Sequence, residues 1–191
     1  MRVSMMNVMA SARERILDSF ESILIRDGER SATMESVAAA ADVSKGGLLY
    51  HFRSKEALVD GLAERLEALS ARDRELMAAD PEGPARYYVR TSMYENSPLD
   101  RALVAMARLA QQGHPKAQAT FVLIQEQWLG ALEAELGSRA VARAVKLLGD
   151  GLYYDAAFFA GAGSERQSSD ELQDLLAIVD LIVREGARAT G

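Results

Sequence analysis

The stretch of residues 43–55, VSKGGLLYHFRSK, constrains what this chain can fold into more than any other. It follows the alanine-rich segment TMESVAAAAD of residues 33–42, and it combines small, aromatic and basic residues in a length too short for a core helix. Thr33 and Ser44 are of the types that cap helix N-termini, so each is expected to open a short helix. Two short helices joined by a tight turn are typical of a helix-turn-helix, whose second helix is the recognition helix.

The recognition stretch carries groups that suit a nucleic-acid surface. Each of the two glycines at 46–47 costs about 1 kcal/mol in a helix, which indicates that another molecule approaches the backbone there. Lys45 is the one long side chain near the end from which such motifs read bases. Lys55 lies near the predicted start of a helix, where the helix dipole disfavours a positive charge. An anionic partner is therefore expected for it. Several side chains here can donate hydrogen bonds to phosphate oxygens: Tyr50, His51, Arg53 and Lys55.

Residues 44–58, SKGGLLYHFRSKEAL, resemble the recognition-helix signature of the TetR family of transcriptional regulators, which usually runs S-K-G-x-L-Y-x-H/Y-F-x-S/T-K-E-x-L. The matching positions include Ser44, Lys45, Gly46, Leu48, Phe52, Ser54, Lys55, Glu56 and Leu58. Leu49 stands where the family usually has a phosphate-contacting tyrosine, so that contact is expected to be absent. The resemblance covers residues 11–60 by motif, and the remainder only by length and helical pattern.

The resemblance implies an all-α fold, with an N-terminal three-helix helix-turn-helix DNA-binding domain followed by a larger helical ligand-binding and dimerisation domain. We expect a flexible N-terminal arm at 1–10, the DNA-binding domain at 11–56 and the second domain at 57–191. The residues expected to contact DNA are Thr33, Ser44, Lys45, Gly46, Gly47, Tyr50, His51 and Lys55. The expected partners are double-stranded operator DNA, a small-molecule effector and a second copy of the chain.

The implied function is transcriptional regulation, by a repressor whose operator binding is relieved by a small molecule in the C-terminal domain. The residues alone do not distinguish a repressor from an activator, and they identify neither effector nor operator. The alternative is a helical small-molecule-binding or catalytic protein with a non-functional helix-turn-helix. Leu49 and the formal net charge of −6 favour that alternative, because nucleic-acid binders are usually basic. From Lys45 to Glu56, however, three basic residues stand against one acidic residue.

The composition excludes several other classes of protein. With 49% hydrophobic and 26% charged residues, the chain is typical of a globular protein. The absence of cysteine excludes disulfides and thiolate metal sites, and two histidines leave little for other metal chemistry, so neither metal nor cofactor is expected. We see no secretory signal or membrane-spanning run and expect a cytoplasmic protein. Phosphate-binding glycine loops, HExxH and G-x-S-x-G are absent, so an enzyme is not expected.

Capping residues, glycines and prolines predict where the helices begin and end. Ser11 with Glu14 opens a first helix that ends at Gly28, and Ser54 opens a long fourth helix that extends to residue 79. The later helices are predicted at 81–96, 98–112, 115–136, 138–160 and 168–189, the last with a capping box of Ser168 and Glu171. No stretch alternates convincingly as a strand, which favours an all-α fold.

Polar-tipped aromatic residues in the C-terminal half predict a largely apolar pocket with a few orienting groups. The predicted effector-binding residues are Tyr94, Phe121, Gln125, Trp128, Tyr154 and Phe158. Ordinary core packing is the alternative for each of them. A ligand held between the fourth helix and the helices of 81–136 is expected to alter the spacing of the two recognition helices in a dimer.

The last two predicted helices are apolar on several faces, which indicates burial on several faces. In a chain this small, a second copy of the same helices is expected to cover the extra face in a homodimer. The predicted interface residues are Leu148, Leu152, Phe159, Leu175, Val179 and Ile182.

Overall fold

The computed structural model describes residues 11–159 and 169–190, without the side chains of 158–159, 169 and 187–190. Within these ranges it consists of nine α-helices and one short 3₁₀ turn, Glu29–Ser31, and contains no strand. The helices are α1 (Ala12–Asp27), α2 (Met34–Ala40), α3 (Lys45–His51), α4 (Lys55–Ala78), α5 (Pro84–Thr91), α6 (Pro98–Gln111), α7 (Pro115–Leu136), α8 (Arg139–Phe159) and α9 (Ser169–Thr190). The all-α prediction is confirmed. The expected arm at 1–10 and the Ser168 cap lie outside the described residues.

Side-chain caps begin the first three helices where the sequence indicates. Ser11 Oγ accepts a hydrogen bond from the main-chain N–H of Glu14 at 3.2 Å. At α2, Thr33 Oγ1 accepts from the N–H of Ser36 at 3.1 Å, and Ser36 Oγ accepts from the N–H of Thr33 at 2.9 Å. This reciprocal pair is a complete capping box. With Ser44 capping α3 in the same manner, the predicted starts of α1, α2 and α3 are confirmed.

The turn between α2 and α3 is closed by main-chain hydrogen bonds without a glycine. The N–H of Val43 donates to the carbonyl of Ala38 at 3.1 Å, and the N–H of Asp42 donates to the carbonyl of Ala39 at 3.3 Å. Asp42 has a φ of 52°, the left-handed conformation that ends many helices with this bonding pattern. Aspartate tolerates that conformation better than most residues with a side chain, so the tight turn forms here.

Helix α5 begins three residues later than predicted. Asp80 Oδ1 accepts a hydrogen bond from the main-chain N–H of Glu82 at 3.0 Å, which makes a local turn around Pro81. The helix instead begins at Pro84, after Gly83 in a left-handed conformation with φ 89°. The prediction at Pro81 was wrong because an aspartate side chain offers the backbone a turn that competes with helix.

Helix α5 also ends earlier than residue 96. The carboxylate of Asp100 accepts hydrogen bonds from the main-chain N–H groups of residues 95 and 97, at 3.1 and 2.9 Å, and holds this segment as a loop. Ser97 Oγ accepts from the N–H of Asp100 at 3.2 Å, so Ser97 caps α6 as predicted. The other helices that follow α3 agree with their predicted bounds to within one residue.

The chain divides into two compact units. The first unit contains the described residues up to Leu66 together with Arg101–Gln118. The second unit contains Glu67–Asp100 and the described residues from Ala119 onward. Helices α4, α6 and α7 each contribute residues to both units. The domain boundary predicted after residue 56 stays a prediction.

The first unit has a core of aliphatic and aromatic side chains. Helix α1 packs on α2 and on the 3₁₀ turn, and α2 packs on α3. The largest of its fully buried side chains are Ile16, Leu17, Phe20, Leu24, Leu48, Leu58, Leu62, Leu66, Met106 and Leu109. Each such side chain contributes about 1.5–3 kcal/mol when removed from water. The recognition helix is held in the same core through Leu48.

A buried ion cluster joins three helices of the first unit. Glu21 of α1, whose side chain is only 3% exposed, accepts hydrogen bonds from Arg65 of α4 at 3.3 Å and from Arg101 of α6 at 2.9 Å. Arg65 also pairs with Glu14 and Asp18. Burial raises the pKa of Glu21 although both guanidinium groups favour its charged form. Because removal of one partner would leave a buried charge uncompensated, the cluster fixes α1 against α4 and α6.

In the second unit, α5 packs on α8 and α9, and these two pack on each other. Gly149 of α8 permits the close approach of α5. A Cβ at this position would lie 2.7 Å from Ser92 Oγ and from two ring atoms of Tyr88. Only a residue without a side chain therefore fits at this crossing.

Substitution of Gly61 in α4 tests the packing beneath the recognition helix. A Cβ there would lie 2.8 Å from Phe52 Cε1 and 3.2 Å from Leu17 Cδ2, and both of these side chains are buried. We expect Gly61→Ala to lower the free energy of unfolding by about 1 kcal/mol, since overpacking costs about 1–3 kcal/mol and alanine regains about 1 kcal/mol of helix propensity. Urea denaturation followed by circular dichroism measures this change.

Gly130 in α7 provides the control, because no described atom beyond its chain neighbours and its own helix backbone would lie within 4 Å of a Cβ at that position. Gly130→Ala should raise the free energy of unfolding by about 0.5–1 kcal/mol. Equal stabilisation by both variants would contradict the packing of Phe52 against Gly61.

Candidate functional site

Helix α3 turns one face to the core and the other to solvent. Leu48 is fully buried, and Phe52, which ends the helix, is nearly so. Tyr50 is 84% exposed and His51 is also exposed, with their rings edge to face at 5.1 Å between centroids. Leu49 lies on the exposed side as well. Tyr50 and His51 therefore offer two adjacent hydrogen-bonding groups to a partner outside the chain.

The two glycines of the recognition helix have different surroundings. A Cβ at Gly47 would lie 3.2 Å from Ser44 Oγ, the atom that caps the helix, so packing within the chain favours glycine there. A Cβ at Gly46 would have only Ser44 Oγ, at 4.0 Å, as a neighbour. Gly46 is exposed, and the described residues give no steric reason for glycine at that position.

Thr33 and Ser44, both predicted to contact DNA, use their hydroxyl oxygens as helix caps. Thr33 also donates its hydroxyl proton to Ser36 Oγ at 3.1 Å. Ser44 Oγ accepts from the N–H of Gly47 at 3.0 Å, and its proton has no acceptor among the described residues. Both residues are exposed, and Ser44 has a hydrogen-bond donor left for another molecule.

Both lysines of the predicted site are paired with glutamates of the same chain. Lys45 Nζ lies 2.8 Å from Glu35 Oε1, in the first turn of α2. Lys55 Nζ donates to the main-chain carbonyl of Glu29 at 3.0 Å and lies 3.3 Å from Glu29 Oε1. The anionic partner expected for Lys55 is therefore found within the chain, and the helix-dipole argument does not require DNA at this residue. Lys55 ties the start of α4 to the 3₁₀ turn.

Arg53 is a candidate that the predicted set of contacts omitted. It follows the buried Phe52 at the end of α3, is exposed, and has no hydrogen-bond or ion-pair partner in the described part of the chain. Arg30 in the 3₁₀ turn is also exposed, and it likewise has no hydrogen-bond or ion-pair partner among the described residues. The sequence signal for Arg53 is its position, two residues after His51 in the basic end of the recognition stretch.

The second unit contains a carboxylate that is bound by two aromatic donors. Trp128 Nε1 donates to Asp73 Oδ2 and Tyr87 Oη donates to Asp73 Oδ1, both at 2.9 Å. Burial raises the pKa of Asp73, and the two hydrogen bonds only partly oppose this effect. Burial and the adjacent Asp73 carboxylate raise the pKa of Tyr87. Sequence reasoning missed Asp73, because its partners lie 14 and 55 residues away in the chain.

A second cluster of hydrogen-bonded polar side chains adjoins Asp73 and its aromatic partners. Lys146 of α8, which is buried, donates to Asp150 Oδ2 at 2.6 Å and to Gln125 Oε1. Asp150 Oδ1 accepts from Tyr88 Oη at 2.6 Å, and Lys146 Nζ lies 5.8 Å from the centre of the Tyr88 ring. The Tyr88 ring meets Trp128 edge to face, with 6.3 Å between centroids. Burial raises the pKa of Tyr88 well above its ordinary value, and Asp150 adds to this effect.

The predicted effector-binding residues do not all come together. Trp128 is buried, and Gln125 accepts a hydrogen bond from Lys146. Tyr94 contacts the ring of Tyr153, with 6.3 Å between centroids. Tyr154 is 54% exposed, which places it on a surface rather than among these residues. Phe121 is half-buried, and the side chain of Phe158 lies outside the described residues.

The predicted dimer residues differ in how far they are buried. Val179 is fully buried and Leu152 almost fully so, which means that these side chains already pack within their own chain. Three others are half-buried: Leu148, Leu175 and Ile182. The side chain of Phe159 is not described. The strongly exposed apolar side chains of α8 and α9 are instead Leu147, Tyr154, Ile178 and Leu181.

Comparison with known proteins finds similarity to one family of regulators. The family model described as "Bacterial regulatory proteins, tetR family" matches residues 16–62, which include α2, α3 and the turn between them. The HTH-type transcriptional repressor KstR2 of Rhodococcus jostii is 30% identical over 132 residues. That match spans 64% of this chain and 64% of the relative, a little less than two thirds of each.

Solved structures share the fold over nearly the whole chain. Salmonella enterica GusR superposes with a TM-score of 0.67 at 17% identity, covering 95% of this chain and 100% of that one. A TetR-like transcriptional regulator from Rhodococcus sp. RHA1 gives a TM-score of 0.61 at 19% identity, covering 98% and 99%.

This chain resembles the tetR family in its helix-turn-helix. The predicted resemblance to this family is confirmed, as is the fold of an N-terminal helix-turn-helix followed by a helical C-terminal region. The exposed groups of this segment are Gly46, Tyr50 and His51 in α3, with Arg53 just after the helix. No helix in the described part of the chain has the length and apolar character needed to cross a membrane. The described residues also contain no group of three or more potential metal ligands.

The raised pKa of Asp73 can be measured through Trp128, the only tryptophan of the chain. We expect the emission of Trp128 to titrate with a midpoint above about 3.9, the ordinary value for aspartate. The folded state then holds a proton that the unfolded state has lost, so Asp73 contributes less stability as pH rises through that interval. Native-state fluorescence between acid and neutral pH follows the titration.

Asp73→Asn should abolish this titration of Trp128, whereas Asp155→Asn, the same change at an exposed position of α8, should leave it in place. An unchanged midpoint in Asp73→Asn would show that another group is responsible.

Proposed function

We propose that this protein is a DNA-binding transcriptional repressor of the tetR family that acts through the exposed face of α3. The observation that carries the proposal is the division of α3 into a buried side, formed by Leu48 and Phe52, and an exposed side with unpaired polar groups. The match of residues 16–62 to the tetR family and the similarity to a transcriptional repressor support it. A cytoplasmic location follows from this role in bacteria, because the DNA lies there.

Different residues of the α3 face are proposed to have different roles. Tyr50, His51 and Arg53 contact phosphates, which position a protein on DNA without reading its sequence. Lys45 lies at the first residue of the recognition helix, the end that meets base edges. Lys55 supports the site from within the fold through Glu29 and also lies close enough to the exposed surface to contact a phosphate, since its side chain is 32% exposed.

A homodimer is the second part of the proposal. Two recognition helices at a fixed separation match paired half-sites about one helical turn apart, or a multiple of it. Exposed apolar side chains on the last two helices favour a self-complementary interface there, because water contact with such groups is unfavourable. Leu147 and Tyr154 of α8, with Ile178 and Leu181 of α9, are the proposed contacts.

The third part is an effector site in the second unit, around Trp128, Tyr88 and Gln125. Aromatic surfaces beside a few orienting polar groups suit a small, largely apolar molecule. Helix α4 carries Asp73 in the second unit and begins at Lys55 in the first, so one continuous helix is common to both. An effector shifts the protein only by its different affinities for two arrangements, and a typical coupling of about 1–3 kcal/mol would weaken operator binding about 5–150-fold.

Arg53→Ala tests the DNA-binding proposal. We expect the slope of log affinity against log salt concentration to decrease in magnitude by about 0.9, as for one lost phosphate contact. Affinity should fall to a similar extent on all sequences, because a phosphate contact carries no base preference. Fluorescence anisotropy over a series of salt concentrations, with a duplex selected by the wild type from a randomised pool, gives the slope.

Arg72→Ala is the matched control for this experiment. Arg72 is an exposed arginine of the second unit, and its loss changes the net charge of the chain by the same amount. A slope that fell equally in both variants would reflect total charge, and a wild-type affinity independent of salt would contradict DNA binding itself.

The double substitution Leu147→Glu with Ile178→Glu tests the dimer. Placing charges on the proposed interface should convert the protein to a monomer at micromolar concentration, while the helical content stays unchanged because both side chains are exposed. Analytical ultracentrifugation measures the mass. Val122→Glu, at an apolar position of α7 that is 63% exposed, should remain a dimer. A wild-type protein that sediments as a folded monomer would refute the proposal.

A further inference from the structure

The ion pair between Glu35 and Lys45 joins the two helices of the helix-turn-helix at their exposed starts. Glu35 lies in the first turn of α2, and Lys45 is the first residue of α3. The distance from Lys45 Nζ to Glu35 Oε1 is 2.8 Å, and the side chains are 66% and 67% exposed. A surface ion pair of this kind contributes little to stability, so the fold does not explain why the two residues lie together.

The two groups match the edge of a G·C base pair in the major groove. Guanine presents two acceptors there, O6 and N7, and its cytosine partner presents the N4 amino donor. A lysine ammonium donates to guanine, and a glutamate carboxylate accepts from cytosine. Resting on the proposed DNA-binding function, we propose that Glu35 and Lys45 act together as a specificity-determining pair that selects one G·C base pair in each half-site.

The charges of the pair agree with this role. The hydrogen bond between the two groups lowers the pKa of Glu35 and raises the pKa of Lys45, so both are ionised at neutral pH. The pair is then neutral as a whole and adds little attraction to the phosphate backbone, on which nonspecific binding depends. A carboxylate near phosphates is repelled, whereas one that meets a cytosine amino group gains a hydrogen bond. The pair therefore favours one base pair over others rather than DNA in general.

The other lysine–glutamate pair of the site provides a contrast. Lys55 donates a hydrogen bond to the main-chain carbonyl of Glu29 and forms an ion pair with its carboxylate. Both side chains are 32% exposed. Lys55 therefore connects α4 to the 3₁₀ turn and is less accessible than Lys45. Lys45 has only the Glu35 side chain as a partner among the described residues, and both groups can turn toward a base pair.

The test is selection of duplexes from a randomised pool by the wild type, Glu35→Ala and Lys45→Ala, followed by affinity measurements on duplexes that differ at one base pair. Sites selected by the wild type should share a G·C pair at one position of each half-site. Each variant should reduce the preference for G·C over A·T at that same position by about tenfold or more. Glu126→Ala removes an exposed, arginine-paired glutamate of the second unit and should leave the preference unchanged.

The outcomes separate this inference from the proposed function. If the wild type selects a defined sequence but Glu35→Ala retains the full preference at every position, the specificity role of Glu35 is overturned while DNA binding stands. If Glu35→Ala tightens binding equally on all duplexes without changing any preference, the glutamate only masks Lys45, and base selection is likewise overturned. If the wild type selects no sequence, both the proposed function and the inference fail.

Discussion

The burial of Leu48 and Phe52 is the constraint on which the candidate site depends. Helix α3 has only seven residues, and a helix of that length is not stable in water by itself. It exists because these two side chains join the core of the first unit, where Leu17 and Gly61 surround Phe52. Their positions four residues apart place them on one face of the helix and thereby set the exposed face that carries Tyr50 and His51.

The distribution of charged side chains in this protein matters more than its net charge. The chain is acidic overall, and the lysines of the proposed DNA face are neutralised by Glu35 and Glu29. Arg53, by contrast, has no partner among the described residues and keeps its charge available. An acidic protein in which these two lysines are paired attracts DNA of any sequence only weakly, so in the proposed function direct contacts with bases decide where the protein binds.

Buried polar groups determine much of the internal organisation of each unit. In the first unit Glu21 accepts from arginines of two other helices, and in the second unit Asp73 accepts from Tyr87 and Trp128. These contacts join residues up to 80 positions apart in the chain. Unpaired polar groups in such places would be costly, so the helices that carry them can pack in few other ways.

The sequence by itself determined the elements that rest on local chemistry. Caps at Ser11, Thr33 and Ser44 and the recognition motif give the helix-turn-helix, because a cap acts on the backbone two or three residues away. The start of α5 was missed because Asp80 holds a turn that competes with the helix at Pro81.

Only the tertiary structure decided which side chains of the proposed sites are accessible and which are occupied. It showed that Lys55 already has an anionic partner in Glu29, and that Val179 is buried within its own chain while Ile178 beside it is exposed. Periodicity predicts an apolar helix face but not how much of that face neighbouring helices cover. Pairs such as Glu35 with Lys45 likewise arise from the packing of two helices, which no spacing along one helix encodes.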